Sequence, residues 1–148
     1  MHSVHVTPDE HVQELDLDVT WNGDAPCAVL VSSDVGRTAL QLRPGLNDPD
    51  RRDIILAWES CASATMGPPN DEALLSHRLY GKGLEDVVWM GEVMNSRYVI
   101  RLETMNSGHP HHDPGRYEGL RHFILPLKEC TVEVVADGLP HVLRHAGT

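Results

Sequence analysis

The residues with the clearest capacity for chemistry lie in the segment MNSGHPHHDPGRYEGLRHF, residues 105–123, which holds four of the chain's ten histidines. Helical geometry is disfavoured for a residue that precedes proline, so His109 and Asp113 are expected to be extended. Residues two apart in an extended chain share a side, so His109, His111 and Asp113 should point together. Imidazole and carboxylate groups on one side are typical of metal and proton-transfer sites.

Geometry limits how this histidine-rich loop can hold a metal ion. Full extension separates the Cα atoms of His109 and Asp113 by ~13 Å, too far for both to ligate one ion at bond lengths of ~2.0 to 2.2 Å. His109 and His111 can bind one divalent ion, Zn or Fe, if a third ligand comes from elsewhere. The nearest candidates for that ligand are Glu118, His122 and His77. The alternatives are a solvated polar turn and histidines that act as acid or base without metal.

Three residues are candidates for catalytic proton transfer, namely His77, Glu92 and His122. Glu92 follows the apolar stretch VVWMG, and a buried carboxylate is costly unless it is paired. A partner such as Arg97 or Arg121 would make Glu92 structural, whereas a histidine partner would make it the best general base in the chain. His122 precedes Phe123 on a predicted strand, so His122 faces away from the core if Phe123 enters it.

A long irregular loop is predicted over residues 67–86, where two prolines and three glycines interrupt any periodic pattern. A turn of helix is expected at residues 71–76. Loops of this length inside compact domains are often functional. Cationic and phenolic side chains in this loop are candidates for binding a polar substrate, with an ordinary polar surface loop as the alternative. These candidates are Arg78, Tyr80 and Lys82.

The elements that must position these residues are mostly short strands. The stretch LDLDVTWNGD alternates apolar and polar residues and ends on Asn22-Gly23, which predicts a strand and a hairpin turn. A second hairpin is predicted around residues 34–37, where Gly36 can supply positive φ. The stretch IILAWESCASATM indicates one long or bent strand, and DVVWMGEV a buried one. Two strands are predicted in RHFILPLKECTVEVVAD, with Pro126 indicating an edge or a bulge.

One main helix is predicted near residues 96–107, capped by Asn95 or Ser96 and ended by Gly108, although residues 97–107 also alternate as a strand would. The sequence therefore predicts an α+β fold, mainly antiparallel β-sheet, curled into a sandwich or a partly closed barrel. The 148 residues suit a single domain. Loosely held tails are expected near residues 1–13 and 139–148.

Composition bounds the class of partner. The formal net charge of −10 disfavours binding to nucleic acid or to anionic lipid surfaces. The three cysteines show no CxxC spacing and are interpreted as reduced core thiols. The N-terminal residues lack the basic and apolar pattern of a leader, and no stretch approaches the ~18 apolar residues of a membrane span. A cytoplasmic protein is expected.

Two hypotheses of different class follow from these patterns. The first is a small soluble enzyme that acts on a compact polar small molecule through a histidine and carboxylate site, with metal assistance as one version. Isomerase, lyase or cyclase chemistry would suit such a site. A covalent hydrolase has little support, because no GxSxG motif is present. The second hypothesis is a non-catalytic acidic interaction protein, an immunity or regulatory partner, that binds a basic protein.

Overall fold

The computed structural model describes residues 8–25 and 27–146. The strands are β1 His11–Glu14, β2 Val29–Ser32, β3 Thr38–Leu42, β4 Asp53–Trp58, β5 Cys61–Gly67, β6 Gly91–Met94, β7 Arg121–Pro126, β8 Thr131–Ala136 and β9 His141–His145. The α-helices are α1 Arg97–Asn106 and α2 Pro114–Glu118. Three short 3-10 helices span Asp71–Ser76, Tyr80–Lys82 and Leu84–Asp86.

The strands form two antiparallel sheets that pack face to face. One sheet has five strands in the order β1-β6-β7-β8-β5, and the other has four in the order β2-β3-β4-β9. The predicted α+β fold with mainly antiparallel sheet is confirmed in its sandwich form, and α1 confirms the helix predicted near residues 96–107.

Strand alternation builds the core between the sheets. Phe123 and Leu125 of β7 pair with Val134 and Val132 of β8, and all four side chains are fully buried. The facing sheet contributes its own alternating set of buried apolar residues from β3 and β4. Trp58 bridges the layers, with its ring centroid 6.0 Å from that of Phe123. Fully burying a side chain of this kind contributes about 1.5 to 3 kcal/mol.

The opposite face of the five-stranded sheet is covered by residues 71–86, which we call the covering segment. Its Leu79 and Leu84 are fully buried against Val93 and Ile124 of the sheet. The sheet is therefore covered on both faces where this segment lies, and residues of β6 and β7 that point away from the sandwich core, such as Val93 and Ile124, are still shielded from water. This arrangement buries the side on which His122 lies.

A fully buried carboxylate fastens the covering segment to the sheet edge. Glu10, next to β1, accepts hydrogen bonds from Arg78 at 2.7 Å and Lys82 at 3.1 Å, and from the Arg97 backbone N–H at 2.7 Å. Burial would raise the pKa of Glu10, but these donors outweigh it and lower the pKa to about 2. Glu10 therefore stays ionised and links the segment, β1 and the start of α1.

The alternating stretch at residues 15–21 is not a strand, which corrects the prediction made from its pattern. It contributes one isolated bridge, from Trp21 to Pro44. The chain turns sharply at Asp18, whose φ is +58° and whose N–H donates to the Asp16 carboxylate at 2.8 Å. Aspartate tolerates this left-handed conformation because its side chain bonds locally. The predicted hairpin around residues 34–37 is present between β2 and β3, with Gly36 at φ +87°.

Three other strand predictions need correction. Residues 54–66 form two strands instead of one, β4 and β5, which are separated by a turn at Glu59 and Ser60. The two strands belong to different sheets. The strand predicted in DVVWMGEV begins only at Gly91. Strand β7 is interior to its sheet rather than at an edge, and Pro126 is its last residue. Its neighbour β6 pairs no further along β7 than Ile124, so the missing N–H of Pro126 breaks no ladder.

Residues 109–112 form a turn rather than an extended segment, whereas Asp113 is extended as predicted, with φ −126° and ψ 104°. The His112 N–H donates to the His109 carbonyl at 3.1 Å, which closes a turn with Pro110 at its second position. The tails predicted as loosely held also contribute strands, because residues 11–13 belong to β1 and residues 141–145 are β9. The remaining tail positions 1–7 and 147–148 lie outside the described residues.

The three cysteines are free, in line with the interpretation as reduced thiols, but Cys27 is exposed instead of lying in the core. Among the helices that the structure describes, none is long and apolar enough to cross a membrane.

Candidate functional site

Two of the three predicted catalytic residues meet at a carboxylate. Glu133 of β8 contacts His122 of β7, with 2.8 Å between Oε1 and Nε2, and His77 of the covering segment, with 3.4 Å between Oε2 and Nε2. On its other side, the His122 ring contacts the Ser96 hydroxyl, with 2.8 Å between Nδ1 and Oγ. We call these four side chains, Ser96, His122, Glu133 and His77, the relay.

Hydrogen bonding indicates the protonation of each ring. The Leu79 N–H donates to His77 Nδ1 at 3.0 Å, so the proton of neutral His77 is on Nε2 and points at Glu133. The carboxylate is an acceptor, which places the His122 proton on Nε2 as well. His122 Nδ1 is then free to accept from the Ser96 hydroxyl. The order from hydroxyl to imidazole to carboxylate is that of a serine–histidine–acid triad, with the two ring nitrogens exchanged.

Sheet register positions the two central residues. His122 of β7 pairs with Val93 of β6 on one side and with Val135 of β8 on the other. Glu133 of β8 pairs with Ile124, which is two residues after His122 in β7. His122 and Glu133 are therefore diagonal cross-strand neighbours on the same face, a separation that long side chains span. His122 is 1% exposed, and the Tyr98 ring lies 5.5 Å from its own.

Ser96 is held at a sharp junction between a strand and a helix. Strand β6 ends at Met94, Asn95 adopts a φ of +55°, and Ser96 caps the N-terminus of α1. The Asn95 side chain donates to the Asp9 carbonyl at 3.1 Å, which supports the unusual conformation. The Ser96 oxygen accepts from the Val99 N–H at 3.1 Å while its proton remains available for His122. A serine on such a turn is fixed in one rotamer before any ligand binds.

The relay keeps its carboxylate ionised. Burial would raise the pKa of Glu133, but the hydrogen bonds from His122 and His77 outweigh it and lower the pKa. Glu133 thus offers a fixed negative charge beside the ring of His122. A charge in that place stabilises the imidazolium that forms when His122 takes a proton.

A cleft of about 290 Å³ opens beside Ser96, where β6 runs into α1 and α2 leads to β7. We call it the Ser96 cleft. Its wall includes Glu92 and Arg121, which form a two-pronged ion pair with both contacts at 2.7 Å. This is the arginine partner considered for Glu92 in the sequence, and it raises the pKa of Arg121. Tyr117 and Glu118 of α2 form the opposite wall.

Comparison with known proteins finds no significant match to a family model, to a curated protein or to a solved structure.

Two of the three predicted substrate-binding residues contact Glu10. Arg78 and Lys82 both donate to that buried carboxylate, so they fasten the covering segment rather than projecting into a cleft. Tyr80 lies half-buried at the start of the second 3-10 helix. The cationic loop residues thus help to hold His77 over the sheet.

The predicted metal ligands are not brought together. His109 and His111 are exposed on their turn with ring centroids 5.8 Å apart, while Glu118 is exposed on α2 and lines the Ser96 cleft. Within residues 8–25 and 27–146, no group of three or more His, Cys, Asp or Glu side chains is arranged to hold a metal ion. In this loop His112 contacts Glu103 at 3.0 Å and Asn106 at 3.0 Å, and the His111 N–H donates to His109 Nδ1 at 3.0 Å.

Sequence reasoning missed two members of the relay. Ser96 was considered only as a helix cap, and its chemical role depends on His122, which lies 26 residues away along the chain. Glu133 stands between Val132 and Val134 in a buried strand, and a carboxylate in the middle of an apolar run is the signal by which it could have been found.

Proposed function

We propose that this protein is a small hydrolase that cleaves an ester by acyl transfer to Ser96. The observation that carries the proposal is the chain of two 2.8 Å contacts from Ser96 through His122 to Glu133. A serine hydroxyl is a weak nucleophile at neutral pH, and an adjacent imidazole that is oriented by a carboxylate is the usual means of activating it.

The reaction follows from the positions of the groups. Ser96 Oγ attacks the acyl carbon as its proton passes to His122 Nδ1, and the ester C–O bond then breaks as His122 returns that proton to the leaving alcohol. Water attacks the acyl group on Ser96 and gives a proton to His122, and the serine oxygen leaves and recovers it. The net change is ester plus water to carboxylic acid plus alcohol.

Three features of the site support this assignment over simple structural pairing. Ser96 is among the residues that line the cleft, with 8% of the residue exposed, and the His122 side chain that it contacts is fully buried. Asn95 holds a left-handed conformation immediately before the serine, and such outliers concentrate at active sites. The Glu92–Arg121 pair offers the cleft both a hydrogen-bond donor and an acceptor for a polar alcohol.

The proposal modifies the enzyme hypothesis drawn from the sequence. A compact polar substrate and a histidine–carboxylate site are retained, but hydrolysis replaces isomerase, lyase or cyclase chemistry because a positioned hydroxyl adjoins the imidazole. The proposed step requires no metal ion. The acidic interaction protein remains a prediction from net charge alone.

The test is hydrolysis of 4-nitrophenyl acetate together with labelling by an alkyl fluorophosphonate, located by peptide mass spectrometry. We expect Ser96→Ala to lower kcat at least ~10³-fold and to abolish labelling. Glu133→Gln should lower kcat about 10²- to 10⁴-fold, because it removes the charge that stabilises protonated His122. Ser107→Ala, a change of the exposed serine at the other end of α1, is the matched control and should behave as wild type.

Loss of the helix cap must be separated from loss of the nucleophile. Alanine at the cap costs about 0.5 to 2 kcal/mol of stability, whereas glycine costs only a few tenths, so Ser96→Gly should stay folded and inactive. If the wild-type protein hydrolyses no ester in a Ser96-dependent way and the probe leaves Ser96 unlabelled, the proposed hydrolase is wrong.

A further inference from the structure

The Ser96 cleft continues into a second concavity of about 230 Å³ between α1 and α2, which we call the apolar hollow. The two concavities share four lining residues, Val99, Ile100, Tyr117 and Glu118. Pro114 adds to the apolar wall of the hollow, and Glu103 stands at its far side. A ligand bound at Ser96 can therefore extend along α1 without leaving the surface of the protein.

The direction of this path is set by helix periodicity. Ser96, Ile100 and Glu103 are at spacings of four and three residues, so they lie along one face of α1. A rise of ~1.5 Å per residue puts Ile100 about 6 Å and Glu103 about 10 Å beyond Ser96 along the axis. Ile100 is 55% exposed although it is a large apolar residue, so its face of the helix is open to an apolar group.

The far end of the path is polar. The Glu103 carboxylate contacts His112 at 3.0 Å, and the His112 ring lies 5.9 Å from that of Tyr117. Apolar groups that reach this pair would remove water from a charged side chain, which is unfavourable. The hollow thus suits an apolar chain that passes Ile100 and stops before Glu103.

We propose that the apolar hollow is the acyl subsite of the enzyme and that the substrates are esters of short, unbranched fatty acids. This inference rests on the proposed function, and it assigns the alcohol half of the ester to the Glu92–Arg121 end of the cleft. A path of about 6 to 10 Å corresponds to an acyl chain of roughly four to eight carbons, given carbon–carbon bonds of ~1.5 Å.

The experiment compares 4-nitrophenyl esters from acetate to dodecanoate. We expect kcat/KM to rise up to about fourfold for each methylene that enters the hollow, to peak between four and eight carbons, and to fall beyond that length. Ile100→Asn places an amide in the path and should lower the ratio of hexanoate to acetate kcat/KM at least about tenfold. Met105→Asn alters another exposed apolar residue of α1, 72% exposed against 55% for Ile100, that is not among those lining either concavity, and its ratio should match that of wild type.

A binding measurement separates this inference from the hydrolase itself. Hexanoate titrated into the Ser96→Gly variant should shift the amide NMR signals of Val99, Ile100 and Tyr117, and acetate should not. Ser96-dependent hydrolysis with a flat chain-length profile, or an unchanged ratio in Ile100→Asn, would overturn the acyl subsite while leaving the hydrolase in place. Hexanoate binding without turnover would instead overturn the hydrolase, and the absence of both would overturn the two proposals together.

Discussion

The substitution Glu10→Gln is expected to destabilise the protein strongly at neutral pH. It removes a fully buried charge that contacts Arg78, Lys82 and the Arg97 backbone. At ~1.36 kcal/mol per pKa unit, the difference between the ordinary value of 4.5 and about 2 corresponds to about 3 kcal/mol. Because Arg78 and Lys82 are partly exposed, screening by solvent reduces this, and we expect a loss of about 2 to 3 kcal/mol at pH 7.

The pH dependence has a definite sign. The pKa of Glu10 is depressed in the folded state, so its contribution is present above pH 4.5 and is lost as the pH falls toward 2. The difference in stability between wild type and Glu10→Gln should therefore shrink to roughly 60% of its neutral value by about pH 3.5. A neutral glutamine has no titration in this range, so the change comes from the wild-type protein.

Urea unfolding followed by tryptophan fluorescence at pH 7 and pH 3.5 measures both effects. With an m-value of ~2 kcal/mol/M, the midpoint of Glu10→Gln should lie about 1 M below that of wild type at pH 7. Glu72→Gln neutralises an exposed carboxylate of the same covering segment and should shift the midpoint little. Equal urea midpoints for wild type and Glu10→Gln at pH 7 would refute the role assigned to Glu10. A difference in stability that is the same at pH 7 and pH 3.5 would refute it as well.

Three further substitutions test packing and pairing. Leu79→Ala should cost about 2 to 5 kcal/mol in urea unfolding, and Leu75→Ala, at a side chain 73% exposed, less than about 0.5 kcal/mol. Gly83→Ala should lower Tm by several degrees in calorimetry, because φ is +114° and the added Cβ would collide with a β1 carbonyl; Gly138→Ala, which meets open space, should not. Glu92→Gln should cost about 1 to 3 kcal/mol of urea stability, since its arginine partner loses a two-pronged contact. Equal losses in a variant and its control, or wild-type stability for Glu92→Gln, would contradict these assignments.

Local signals in the sequence predicted an element correctly where a single residue determines the backbone conformation at its end or turn. Gly36 placed the β2–β3 hairpin, and the cap at Ser96 with Gly108 beyond the end placed α1. The same reasoning failed for residues 54–66. The turn there is made by Glu59 and Ser60, and no proline or glycine marks it in the sequence. The chain leaves one sheet for the other there, and that exchange is stabilised by distant contacts, such as the Asp137 N–H donating to the Ser60 carbonyl at 2.9 Å.

The candidate site shows the same division between local and distant causes. Alternation along β7 correctly placed His122 on the face opposite Phe123, but it favoured a surface histidine, whereas His122 is buried. Burial comes from Ser96 and Tyr98 at the start of α1 and from the covering segment, which is about 40 residues away in the sequence and is fastened through Glu10. Glu133 entered the site through strand register, a property that a single strand pattern does not contain.

The relay occupies a face where apolar residues would serve packing better. Its neighbours in the sheet, Val93, Ile124 and Val135, are all buried and apolar, and replacing both partners of a buried hydrogen bond by apolar groups of the same shape can be nearly neutral or stabilising. A fold selected only for stability has no need of a carboxylate and two imidazoles there, nor of a left-handed Asn95 to present a serine beside them. Local conflicts of this kind concentrate at functional sites, since chemistry needs polar groups held out of water. The polar residues of β7 and β8 connect through hydrogen bonds to Ser96, and Ser96 is the relay residue that lines the Ser96 cleft. This is the physical reason for placing the reaction at Ser96.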